Sequence, residues 1–110
     1  MDTSTALTAF QALSQETRLE AFRLLIKAGS SGLAAGDIAE ACNTRQNTMS
    51  SHLAILTQAG LVQVKRNGRN MIYSAHVTGI QNLLGFLLED CCGGNPQHCQ
   101  PLIQKISCST

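Results

Sequence analysis

One dipeptide restricts this chain more than any other feature. Asn67-Gly68 separates two β-prone runs, "LVQVKR" and "RNMIYSA". Asn-Gly between such runs is the strongest short-range signal for a β-hairpin. Elsewhere the apolar residues recur at helical rather than alternating spacing. The expectation is therefore a mainly α protein carrying a small β-hairpin, an α+β chain.

The helices follow from their spacing. Residues 4–13 carry Leu7, Phe10 and Leu13 three apart, which predicts a short amphipathic helix. Ser14 reads as the N-cap of the next helix, continued by Leu19, Phe22, Leu25 and Ile26. Gly29 ends that helix and "GSSG" is a loop. "GDIAEACN" reads as a two-turn helix capped by Gly36, with Asp37 and Glu40 suited to the positive end of its dipole. Ile38, Ala39 and Cys42 form its buried side, and Asn43 is its left-handed stop. A further helix runs over "QNTMSSHLAILTQAG" and stops at Gly60. Its Met49, Leu53 and Leu56 share one face; Asn47, Ser51, Ala54 and Gln58 lie opposite, with Ser50 at the margin. After the hairpin, Val77, Ile80, Leu84, Leu87 and Leu88 predict a last helix ending near Asp90. The order is ααααββα. A short helix, a tight turn, a second helix and a basic hairpin make a winged helix-turn-helix.

That fold suggests what to make of the charge. At 110 residues the chain has room for one modest core, and its net charge is only +1. The distribution says more than the total. From Ala41 to Leu88 there is no Asp or Glu, while Arg45, Lys65, Arg66 and Arg69 all fall in that stretch. Such a patch is a footprint for phosphate, doubled if two copies pair. The exposed face of the helix before the hairpin is neither charged nor apolar, but lined with amides and hydroxyls able to read base edges in the major groove. The candidate contacts to double-stranded DNA are Arg45, Gln46, Asn47, Thr48, Ser50, Ser51 and His52 on or beside that helix, with Lys65, Arg66 and Arg69 on the hairpin. No nucleophile–base–acid set or Gly-rich phosphate loop stands out, so neither an enzyme nor an organic cofactor is expected. No apolar run approaches the roughly 20 residues needed to span a membrane. The N-terminus, "MDTSTALTAF", lacks the layout of a secretion signal, and a cytoplasmic protein is expected.

Three segments carry a resemblance: "LSQETRLEAFRLLI", "GDIAEACNTRQNTMSSHLAILTQAGLV" and "RNGRNMIYSA". Together they resemble the ArsR/SmtB family of bacterial metal-responsive repressors over roughly residues 12–90. The resemblance implies a homodimer paired through the first and last helices. It also implies repression at a pseudo-palindromic operator and release by an inducer. Two sensor sites frequent in the family find no match. The region beside the first helix of the DNA-binding pair, "SGLAAGDIAE", has no cysteine, and the last helix offers His76, Glu89 and Asp90 without a second histidine.

What remains is "EDCCGGNPQHCQ", which puts Cys91, Cys92 and Cys99 within nine positions just past the last helix. A vicinal pair with a third cysteine there resembles the arsenic-responsive subgroup. The chemistry points the same way. Thiolates are soft ligands, and As(III) or Sb(III) favours three sulfurs in a pyramid. Zinc wants four ligands, and His98, adjacent to Cys99, would chelate awkwardly. Consecutive helical residues point about 100° apart, so Cys91 and Cys92 cannot converge within an ideal helix; Gly93 and Gly94 let the chain turn back towards Cys99. Residues 1–90 are thus expected to bind DNA and dimerise, and 91–110 to form an inducer-binding tail. The rival expectations are a thiol redox or persulfide sensor, with Cys42 and Cys108 as its pair, and a zinc, cadmium or lead sensor. Cys42 otherwise suits core packing, as a small hydrophobe.

Overall fold

The computed structural model describes residues 1–89; Cys91, Cys92, Cys99 and Cys108 lie outside the described residues. Helix α1 spans Thr3–Leu13 and opens at Asp2, whose carboxylate accepts the Thr5 amide at 2.8 Å. Its buried residues are Ala6, Ala9 and Ala12, whereas Leu7 and Phe10 of the apolar stripe are exposed. Three alanines let the α1 backbone approach α2 (Glu16–Ala28) and α4 (Gln46–Gln58) closely. The bulkier side chains are left on the far side.

The cap of α2 also differs from expectation. Ser14 closes α1 instead, its hydroxyl donating to the Gln11 carbonyl at 2.9 Å. Gln15 caps α2, its Oε1 accepting the Arg18 amide at 2.8 Å. With so short a connection, Ser14 is consumed by the orphan carbonyls of the preceding helix. "GSSG" begins with a single 3-10 turn, Gly29–Ser31, and a short strand, β1 (Leu33–Ala34), follows. Two residues are too few to show a period, so this strand is invisible to pattern reasoning.

Helix α3 spans Ala35–Ala41, with Ala34 at its N-cap and Gly36 inside its first turn rather than capping it. Asn43 adopts the left-handed conformation expected of it, φ 50°. The β-hairpin pairs β2 (Val62–Asn67) with β3 (Asn70–Ala75), from Val62 opposite Ala75 to Asn67 opposite Asn70. The turn is therefore Gly68-Arg69, one residue later than an Asn67-Gly68 centre. Gly68, at φ +64°, takes the first central position, as a type II′ turn asks. β1 joins the other edge of β3, giving a three-stranded antiparallel sheet in the order β1-β3-β2.

The largest fully buried side chains are Leu25, Ile38, Met49, Leu53, Leu56 and Leu61. Half of them belong to α4, and burying each contributes about 1.5–3 kcal/mol. The helix that carries the amide-lined face is thus anchored deep in the core. The last helix, α5 (Val77–Leu87), buries only Leu83. Its expected apolar stripe is a second face: Val77, Leu84 and Leu87 are exposed, and Ile80 and Leu88 half-buried. Among the described residues no helix is long and apolar enough to cross a membrane.

Candidate nucleic-acid interface

Because Met49, Leu53 and Leu56 point into the core, the rest of α4 has no choice of direction. Asn47, Ser51, Ala54 and Gln58 are exposed together, flanked by Ser50 and Ile55. Asn47 Oδ1 accepts the Thr48 amide at 2.9 Å, and the Ser51 hydroxyl donates to the Asn47 carbonyl at 3.4 Å. These local bonds hold the polar groups in place while leaving outward hydrogen-bonding capacity free. Arg45, at the N-cap position in extended conformation, is exposed just ahead of the helix.

The wing stands beside the start of α4. A cleft of about 370 Å³ lies between them, with Gln46 and Ser50 on the helix side and Arg69, Asn70, Met71 and Tyr73 on the wing side. The three wing cations are not equivalent. Lys65 and Arg66 occupy successive positions of β2, opposite Ile72 and Met71, and so point to opposite faces of the hairpin. The Arg66 Nε donates to the Gly68 carbonyl at 3.4 Å, folding it over its own turn. Only Arg69 shares the cleft with the helix. Replacing each by Gln should flatten the salt dependence of duplex binding. The slope of log K against log[salt] should lose about 0.9 for each phosphate contact removed. Fluorescence anisotropy across a salt series would read this out; unchanged slopes for all three variants would remove the wing from the interface.

His52 is the one candidate the structure turns inward. It is half-buried, with Nδ1 3.5 Å from the Arg18 guanidinium. Arg18 also donates from Nε to the Ala12 carbonyl at 2.7 Å and from Nη2 to the Gln11 carbonyl at 3.4 Å. It therefore ties the C-terminal end of α1 to α4. Nothing local marks Arg18 for this, since its contact with His52 spans 34 positions. Met71 and Ile55 are further exposed apolar side chains at the interface that helical and hairpin patterning did not single out.

Cys42 lies apart from the interface. It is half-buried at the C-cap of α3, beside a cavity of about 420 Å³ that Glu16, Glu20, Arg23 and Lys27 also line. Burial, and after it the carboxylate of Glu20, push its thiol above the ordinary value. A thiol held protonated is a poor nucleophile and a poor metal ligand. Among the described residues, no group of three or more His, Cys, Asp or Glu is placed to hold a metal ion.

Residues 13–65, from the end of α1 to the middle of β2, match the helix-turn-helix domain family. The transcriptional repressor SdpR of Bacillus subtilis (strain 168) is 38% identical over 79 residues, covering 72% of this chain and 84% of that protein. An ArsR-like transcriptional regulator from Rhodococcus sp. RHA1 superimposes with a TM-score of 0.69 at 26% identity, covering 97% of this chain and 96% of the other. This chain belongs to the ArsR family of winged helix-turn-helix transcriptional regulators. The fold recurs in a homodimeric winged helix-turn-helix DNA-binding domain from Mycobacterium bovis, with a TM-score of 0.63, 24% identity, and coverage of 84% and 85%. The chain is accordingly a DNA-binding transcriptional regulator rather than an enzyme.

Proposed function

We propose that this regulator is a homodimeric repressor whose operator complex is released by As(III) or Sb(III) bound to Cys91, Cys92 and Cys99. The observation that carries the inducer is the crowding of those three thiols immediately after α5, which ends at Leu87. Repression is supported by the likeness to SdpR, and pairing by the homodimeric Mycobacterium bovis domain of the same fold. The exposed Val77, Leu84 and Leu87 of α5, together with the exposed Leu7 and Phe10 of the contacting α1, supply apolar surface for that pairing.

The mechanism follows from where the thiols sit in the chain. Three thiolates closing on one ion constrain the segment that leaves α5. If α5 builds the dimer contact, a change at its end alters the separation of the two α4 helices. Half-sites lie about 34 Å apart or at multiples of that, so a small change in separation weakens binding to both at once. Driving such an equilibrium from 1:99 to 99:1 takes about 5.5 kcal/mol of differential affinity. Three sulfur bonds to a soft ion are of adequate strength.

A thiol redox sensor built on Cys42 is disfavoured because burial, and after it the Glu20 carboxylate, raise the thiol's pKa and so oppose formation of the reactive thiolate. Arsenite added under reducing conditions should therefore release operator DNA, one ion per subunit, with sulfur-to-metalloid absorbance in the ultraviolet. Cys99→Ser should abolish release while leaving apo binding intact. Should Cys99→Ser release normally with unchanged stoichiometry, the three-sulfur site is wrong. Release by a mild oxidant alone would favour the redox reading, and release by zinc, cadmium or lead in competition would favour those ions.

A further inference from the structure

The recognition face of α4 carries a chemical statement about the operator, resting on the DNA-binding assignment above. From Gln46 to Val64 there is no Lys, Arg, Asp or Glu. The usual reader of guanine is a bidentate Arg or Lys on its O6 and N7, and the usual reader of cytosine is a carboxylate accepting from N4. Helix α4 carries neither. What it presents outward, at i, i+4 and i+7, is the Asn47 amide, the Ser51 hydroxyl and the Ala54 methyl. This stripe is centred opposite the fully buried Met49, Leu53 and Leu56, so it is the line of α4 that meets the floor of a groove.

Asn47 is also oriented. Its Oδ1 takes the neighbouring Thr48 amide at 2.9 Å, the role only the oxygen end of the carboxamide can fill. One lone pair of Oδ1 and both hydrogens of Nδ2 remain. That set, one acceptor beside a donor, complements the N6–H donor and N7 acceptor of adenine. One turn and three residues on, Ala54 has only a methyl to offer, and the matching apolar group in the major groove is the C5-methyl of thymine. Gln46, exposed and lining the same cleft as Arg69, offers a second amide of the same kind.

We infer that α4 reads its half-site as A·T pairs, with Asn47 bidentate to an adenine and Ala54 against a thymine methyl. Arg45, ahead of the helix, is the only cation on this element placed to read a guanine, and it does so at the margin of the half-site.

Selection from a randomised duplex library with the full-length protein tests this, followed by base analogues in the selected site. The selected half-sites should centre on A·T pairs. Replacing the central adenine by 7-deazaadenine, which lacks N7, should weaken wild-type binding about tenfold and leave Asn47→Ala unaffected. Replacing thymine by uracil at the Ala54 position should weaken it by a smaller factor. Asn47→Arg should shift the preferred base towards guanine. Half-sites centred on G·C pairs, or equal loss on 7-deazaadenine for wild type and Asn47→Ala, would overturn the adenine assignment alone. Enrichment of no sequence at all would overturn the operator reading on which it rests. The analogue measurements on wild-type protein stand whatever a variant does to folding.

Discussion

Gly79→Ala is expected to cost about 2 kcal/mol or more of stability and to loosen α5 from the body of the protein. An alanine within a helix ordinarily gains about 1 kcal/mol over glycine. Here the packing term is larger and opposite in sign. A Cβ on Gly79 would fall inside contact distance of the Gly60 carbonyl oxygen, 3.0 Å from the Gly60 carbonyl carbon and 3.2 Å from His76 Nδ1. Those obstacles cannot rotate away. Gly60 is fixed by its φ of +80° and by its amide, which donates to the Thr57 carbonyl at 3.1 Å. His76 is fixed by its own amide, which donates to the Leu61 carbonyl at 2.9 Å, and by its Nδ1, 3.1 Å from the Gly60 carbonyl oxygen. Gly85 of the same helix is the control. Among the described residues nothing lies within 4 Å of its missing Cβ, so Gly85→Ala should gain up to about 1 kcal/mol. Denaturant midpoints of the two variants should move in opposite directions. If Gly79→Ala proved as stable as wild type, the seating of α5 on the turn after α4 would be wrong.

A charge on the outer face of that helix should instead act on assembly. Leu84 is 40% exposed in the protomer, and Phe10 on the contacting α1 is 39% exposed. Leu84→Glu therefore costs little in an isolated chain. In the proposed dimer it would bury two carboxylates against an apolar surface, which is unfavourable unless they are paired. The expected result is a folded monomer by sedimentation equilibrium, with unchanged helical circular dichroism. Its operator affinity should drop by about 10²-fold or more, because linking two half-site contacts raises avidity by 10²–10⁴. A Leu84→Glu protein that still sedimented as a dimer would place the pairing surface elsewhere.

The two variants probe the parts of the chain that local patterning resolves least well. Helix α4 was legible because Met49, Leu53 and Leu56 sit at helical spacing and all point inward, which leaves Asn47 and Ser51 outward by geometry alone. The hairpin was legible too, but its turn centre was displaced by one residue. Asn67 and Gly68 both tolerate positive φ, and the cross-strand register chose between them. In α1 and α5 the spacing rule found apolar stripes without saying which of them the protomer itself would bury. Leu7, Phe10, Leu84 and Leu87 face away from the protomer, whose core takes Ala6, Ala9, Ala12 and Leu83 instead. Spacing reports that a helix has an apolar face, but not which neighbour that face meets. A helix with apolar residues on two sides, one small and one large, is a helix with two partners.

From the order of its amino acids alone, this protein is determined to be a helix-turn-helix followed by a basic wing, because helical period, glycine stops and an Asn-Gly turn are all properties of a few neighbouring residues. The three closely spaced thiols after the last helix are determined in the same way. Only the tertiary structure decided that Arg18 reaches His52, that of the three wing cations Arg69 shares a cleft with α4, and that Gly79 must lack a side chain against Gly60. Each of these is a contact between residues distant in the chain, set by how closely two helices or a helix and a turn approach, and no local pattern encodes that distance.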